Sequence, residues 1–262
     1  MKTQTATTSG STAVLALFVP FVLFLFNFAV HNVQTVADSR IAYYLIVILG
    51  PGILLPLFVL GWLKNSHGVD PRFGNGRWEP LKLAGALAAG LVIASFSLGR
   101  QLAAEPAHAL HVFVWAFMTS IVEVLVFLGI VYNVIHTLVS RVGPRWLEVI
   151  IGVFAASALF ALYHFSYSPP WNTSALALTV GVVWLEVATV YLITRSLWAA
   201  IVFNNTMAML GFLLNRVTAL DGEPLALGLL LDALLVALTV LLSRERGRKV
   251  FGSILVKGWA AH

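Results

Sequence analysis

The sequence has no cysteine. Disulfides and thiolate–metal sites are therefore excluded, and cysteine usage gives no reading of the redox compartment. Charge is scarce as well. Asp, Glu, Lys and Arg make up 10% of the 262 residues, against about 25% in soluble domains. Ten-residue units of alternating apolar and polar residues are missing, which argues against a transmembrane β-barrel. What is present is apolar: 60% of the chain, in continuous runs. This composition is that of a polytopic membrane protein, with its length used for spanning helices. The net charge of +5 belongs to loops, so the expected surroundings are membrane lipids and no nucleic acid.

About twenty apolar residues at 1.5 Å each cross a hydrocarbon core of about 30 Å. On that rule the chain holds eight spanning segments, at about 12–31, 41–63, 82–99, 108–138, 146–167, 173–194, 196–215 and 224–243. The expected fold is all-α: a polytopic transmembrane helical bundle of about eight helices in one integral membrane domain, 1–262. The first apolar run lacks a clear small-residue cleavage site and is read as a retained helix. Gly50-Pro51-Gly52 predicts a kink in the second segment. The third, L-A-G-A-L-A-A-G, suits close helix packing.

Placing both termini in the cytoplasm puts 13 of the 16 Lys and Arg residues inside and leaves Arg40, Arg100 and Arg216 outside. The positive-inside rule thus favours an N-in, C-in topology. A prokaryotic cytoplasmic membrane is the expected location. Loop 64–81 reads as a solvated cytoplasmic connector, with a partner contact as the other reading. The basic tail 244–262 either binds anionic lipid or anchors topology.

Three carboxyls fall inside spans: Glu123, Glu186 and Asp232. A charge at membrane depth costs about 2.5–3.5 kcal/mol even on the lenient insertion scale, so each needs company. Asp232, in L-L-L-D-A-L-L, has none in sequence and reads as a neutral, hydrogen-bonded carboxyl. Glu186 divides evenly between that role and a functional one. Glu123 lies 18 residues before Arg141, and His164 lies 19 after Arg145. On antiparallel neighbours those counts give nearly equal depth. A Glu and a His at one level can share a proton or activate a water. They can also supply two ligands to a metal, too few for a defined zinc site; no metal and no cofactor is expected. Asn204 and Asn205 either hold helices together or donate to an oxyanion. Asn133 and His136 share one helix face and read as caps or bridges. His108 and His111 read as interfacial, and His31 with Asn32 as an outer boundary.

Glu123 in E-V-L-V-F-L-G, Phe160 and His164 in F-A-L-Y-H, and the run S-L-W-A-A-I from Ser196 occur in that order on successive helices. In this the chain resembles the CPBP family, the CAAX proteases and bacteriocin-processing proteins. These are eight-helix intramembrane peptidases that include the type II CAAX prenyl endopeptidases. The resemblance covers about 119–210. The family's first motif is Glu-Glu-x-x-Phe-Arg-Gly; here Glu123, Phe127 and Gly129 match, while Val124 and Leu128 replace the second Glu and the Arg. Phe-x-x-x-His is intact at Phe160 and His164. The third motif, His-x-x-x-Asn, reads Asn204 and Ala208. The resemblance implies catalytic roles for Glu123 and His164 as the pair that activates water, and an oxyanion role for Asn204. Glu186 or Asn205 are the residues expected to restore polarity lost at Val124 and Leu128.

Two functions follow from the resemblance. One is an intramembrane endopeptidase acting on a hydrophobic or prenylated peptide. The other is a catalytically impaired relative serving as a scaffold or accessory subunit in a membrane-protein partner complex. A transporter or channel lined by the three carboxyls is weaker, because no inverted repeat accompanies them.

Overall fold

The structure is a computed structural model that describes residues 10–32, 40–67, 69–74, 77–140, 143–169, 171–214 and 224–243. The N-terminal residues and the basic tail lie outside the described residues. Within them the chain forms eight helices. Helix α1 is Gly10–His31. Helix α2 runs through Arg40–Tyr43, wide π-helical turns at Tyr44–Leu54, and Leu55–His67. Helix α3 is Glu79–Ala104. Helix α4 joins Pro106–Val124, π-helical turns at Leu125–Tyr132, and Asn133–Val139. Helix α5 is Arg145–Tyr163, closed by a 3₁₀ turn at His164–Ser166. Helices α6, α7 and α8 are Ser174–Thr194, Leu197–Leu214 and Leu225–Ser243.

Seven of these are long and apolar enough to cross a membrane, and α1 carries a shorter apolar stretch, Leu17–His31. The protein is an integral membrane protein. Its central helix is α4, 89% buried over its most apolar window, against 17% for α8. The hydrophobic stretch that looked uniform in sequence is thus divided between protein-facing and lipid-facing helices. Packing of α7 against α4 and α3 closes the centre.

Gly50-Pro51-Gly52, where a kink was expected, lies in the π-helical turns of α2. Pro51 cannot donate to the helix ladder. Gly52 lets α2 press on α4, since a Cβ there would lie 2.7 Å from Val122 Cγ2. The π-helical turns of α4 start just after Glu123, where such turns often mark functional sites. Asn133 serves the carbonyls they loosen: its Nδ2 donates to Leu128 O at 2.8 Å and Gly129 O at 3.1 Å. It also donates to the Tyr191 hydroxyl on α6, at 3.3 Å. His136 meets Glu148 on α5 at 3.3 Å. Both therefore bridge helices.

Loop 64–81 is more than a solvated connector. Val69 and Phe73 are buried. Leu197 N donates to Arg72 O at 3.1 Å and the Tyr191 hydroxyl to Pro71 O at 3.3 Å. Glu79 accepts from Ser196 and meets Lys82 at 3.6 Å. The connection at 69–74 is thereby fastened to the α6–α7 turn, where Arg195 takes a left-handed conformation, φ 52°. At the opposite end, α1, the end of α5, the start of α6 and the end of α7 meet. Asn27 bonds Ser166 there at 2.7 Å, and Trp171 packs on Phe212 at 5.1 Å between ring centres.

Candidate active site

Glu123 comes from the middle of α4, His164 from the turn that ends α5, and Asn204 from α7. All three line one cavity of about 430 Å³. Each is nearly buried: 6%, 6% and 4% exposed, respectively. The amide of Asn204 donates through Nδ2 to Glu123 Oε2 at 2.9 Å. An ionised carboxylate only accepts, so the amide must present its nitrogen. The Tyr167 hydroxyl stands near the Glu123 carboxyl and acts on it electrostatically. It also meets the Tyr163 hydroxyl at 3.1 Å, so a chain of hydroxyls leads to the carboxyl. These partners come from α7 and from beyond α5, and they answer the desolvation problem that the sequence posed.

His164 is oriented by its own helix. Its Nδ1 sits 3.0 Å from the Phe160 carbonyl oxygen. A carbonyl can only accept, so Nδ1 carries the proton and Nε2 of the neutral ring is left as an acceptor. The four-residue spacing of Phe160 and His164 makes this bond possible, because residues i and i+4 stack on one helix face. The ring of Phe160 supports the imidazole edge-on, 4.6 Å between centres, and stacks on Trp184 of α6 at 3.8 Å. Phe127 closes this floor against Phe160 at 5.3 Å. Among the described residues no hydrogen bond joins Glu123 to His164. Both line the same cavity.

The two asparagines divide their work. Asn205 donates to the Phe113 carbonyl at 2.9 Å and accepts from Ser120 at 3.5 Å, so it fastens α7 to α4. Asn204 alone faces the cavity. The expected compensation fails: Glu186 is exposed and does not line the cavity, and Asn205 is spoken for. Val124 and Leu128 are fully buried among apolar neighbours. Polarity around Glu123 is supplied instead by Asn204 and Tyr167. Asp232 is half-buried, and its Oδ1 is buried without a hydrogen bond. His31, read as a boundary residue, in fact lines the cavity and bonds Ser168 at 3.2 Å. Among the described residues no three His, Cys, Asp or Glu side chains cluster, so the donor set at Glu123 and His164 stops at two.

Sequence reasoning missed Tyr167, Trp184 and Asn27. Tyr167 follows His164 by three residues, and that spacing was the available signal. Asn27 is a lone amide in the apolar run F-L-F-N-F-A-V and is fully buried. It donates to Ser166 Oγ at 2.7 Å and accepts from the Tyr43 hydroxyl at 3.0 Å. Ser166 in turn donates to the Tyr163 carbonyl at 2.7 Å. The turn carrying His164 is thus pinned to α1 and α2. Asn27→Leu removes the bonds to Ser166 and Tyr43, each worth about 0.5–1.5 kcal/mol. A clear drop in the thermal midpoint of the purified protein in detergent is expected; an unchanged midpoint would contradict this role.

Residues 105–210 match the family model of type II CAAX prenyl endopeptidase Rce1-like proteins. The matched stretch runs from the start of α4 into α7 and contains Glu123, His164 and Asn204. No curated protein and no solved structure matches the chain.

Proposed function

From an Rce1-like core at 105–210, we propose that the protein is an intramembrane endopeptidase that hydrolyses a peptide bond with a water activated by Glu123 and His164. The observation that carries the proposal is the cavity itself. It presents a carboxyl held by Asn204 and an imidazole whose Nε2 is an acceptor, both lining one cavity of about 430 Å³. Glu123 removes a proton from water held against His164 Nε2. The water oxygen bonds to the carbonyl carbon of the peptide. The Asn204 amide has a second N–H, beyond the one given to Glu123, to offer the oxyanion. Collapse of the tetrahedral centre breaks the C–N bond, and the proton held by Glu123 passes to the leaving amine. The apolar wall of Leu176, Val180, Val183, Met207 and Leu210 suits a hydrophobic peptide.

The test is cleavage of hydrophobic and prenylated peptides by the protein in lipid nanodiscs. Wild type cleaves, and His164→Ala loses about 10²–10⁴ in rate, the usual contribution of a positioned acid or base. Equal rates in the two proteins would remove His164 from the mechanism.

One observation favours a second reading, a scaffold that has kept the fold. Ala208 lines the cavity at the third-motif Asn position, and fully buried Val124 and Leu128 stand at the first-motif Glu and Arg. Under that reading wild type cleaves none of the peptides, and a stoichiometric membrane partner copurifies with it.

A further inference from the structure

The cavity and the cations occupy opposite ends of the bundle. Its lining includes His31 at the end of α1, Ser168 and Trp171 between α5 and α6, Leu176 near the start of α6, and Phe212 near the end of α7. From there α6 runs 21 residues to Thr194, about 32 Å at 1.5 Å per residue. That length matches a hydrocarbon core of about 30 Å.

Past it lies Arg195. Around it stand Arg72, whose carbonyl receives Leu197 N, and Lys82, which meets the Glu79 that holds Ser196. Lys64 pairs with Asp70 at 3.8 Å, Arg77 lies over the Trp78 ring, and Arg145 opens α5 at this same end. In sequence, Lys2 precedes α1, Arg141 precedes α5, and Arg244, Arg246, Arg248, Lys249 and Lys257 follow α8. The described helix termini that these residues precede or follow in sequence lie at this end. Only Arg40, Arg100 and Arg216 adjoin termini of the cavity end.

The basic end of a helical membrane protein is retained in the cytoplasm. We infer that the cavity opens on the extracytoplasmic face and takes its ligand, an apolar peptide segment seated in the outer leaflet, from that side. The exposed residues of the lining mark its mouth: Ser168 and Pro169 at the end of the bundle, Leu214 at the end of α7, and Thr179 on the flank of α6. Thr179 lies about 8 Å in from the start of α6, within one leaflet, so the cavity meets the acyl-chain region as well as the aqueous surface. A peptide displayed only in the cytoplasm does not reach Glu123. That the ligand is cleaved rests on the peptidase reading; the side from which it arrives does not.

The absence of native cysteine makes the test direct. Ser168→Cys and Ser174→Cys report the mouth, and Ser140→Cys and Asp70→Cys the basic end. Each variant is expressed in a bacterial inner membrane and shown to label after denaturation. Spheroplasts are then treated with a membrane-impermeant maleimide before or after lysis. The two mouth variants label before lysis, and the two basic-end variants only after it. The reversed pattern overturns the inference, as does labelling of both ends, or of neither, before lysis. Because no cleavage is measured, a protein that proves inactive still answers the question of sidedness.

Discussion

Glu123→Gln lowers peptide hydrolysis by a factor of about 10²–10⁴ while leaving the fold intact, in line with the loss of a positioned general base. Glutamine keeps the shape of the side chain and an oxygen that accepts from Asn204 Nδ2, now 2.9 Å from Glu123 Oε2. What disappears is the ability to take a proton from water and return it to the leaving amine. Glutamine also leaves no ionisable group at this position in the membrane interior, so the variant does not melt earlier than wild type. The measurements are kcat at saturating peptide and the thermal midpoint in nanodiscs. A variant that cleaves at the wild-type rate ends the case for Glu123 as the base. One that cleaves slowly because it has unfolded shows itself in the midpoint.

The second large effect is on the fold. Gly90→Leu separates α3 from α7. A Cβ at Gly90 would lie 2.7 Å from Thr206 Cβ and 2.8 Å from its Cγ2, well inside van der Waals contact. Thr206 has little room to yield, being β-branched and hydrogen-bonded through Oγ1 to Val202 O at 3.0 Å. Forcing bulk into such a contact destabilises by about 1–3 kcal/mol. Asn204 and Asn205 precede Thr206 on the same helix, so a displaced α7 also draws Asn204 away from Glu123. Gly85→Leu on the same helix is the control, since nothing lies within 4 Å of a Cβ there. A lowered thermal midpoint and falling activity are expected for Gly90→Leu, and wild-type behaviour for Gly85→Leu. Equal behaviour of the two variants would show that the α3–α7 contact does not limit stability.

These two glycines illustrate where the sequence stops. The run L-A-G-A-L-A-A-G announces close packing, because only small side chains let backbones approach in lipid. It does not say which glycine is touched, since helix rotation about its axis depends on the partner. The same limit separates Asn204 from Asn205. They are neighbours, about 100° apart around the helix, and one reaches Glu123 while the other fastens α7 to α4. Glu186 was open to either role until the fold turned it outward.

The eight helices and the membrane setting were legible in the chain itself. Apolar length and helix-breaking residues are local properties, and the bilayer tests them one segment at a time. Glu123 and His164 stood out for a related reason: an ionisable group in an apolar run is conspicuous wherever it occurs. Their surroundings were not local. The Asn204 amide, the Tyr167 hydroxyl, the Trp184 floor and the Asn27 anchor reach the site from four different parts of the chain. The cavity and the basic end became opposite faces only once the helices were placed. Hydrogen bonds between distant helices depend on how each helix is rotated and how deep it sits. Packing decides both, and no single segment carries them.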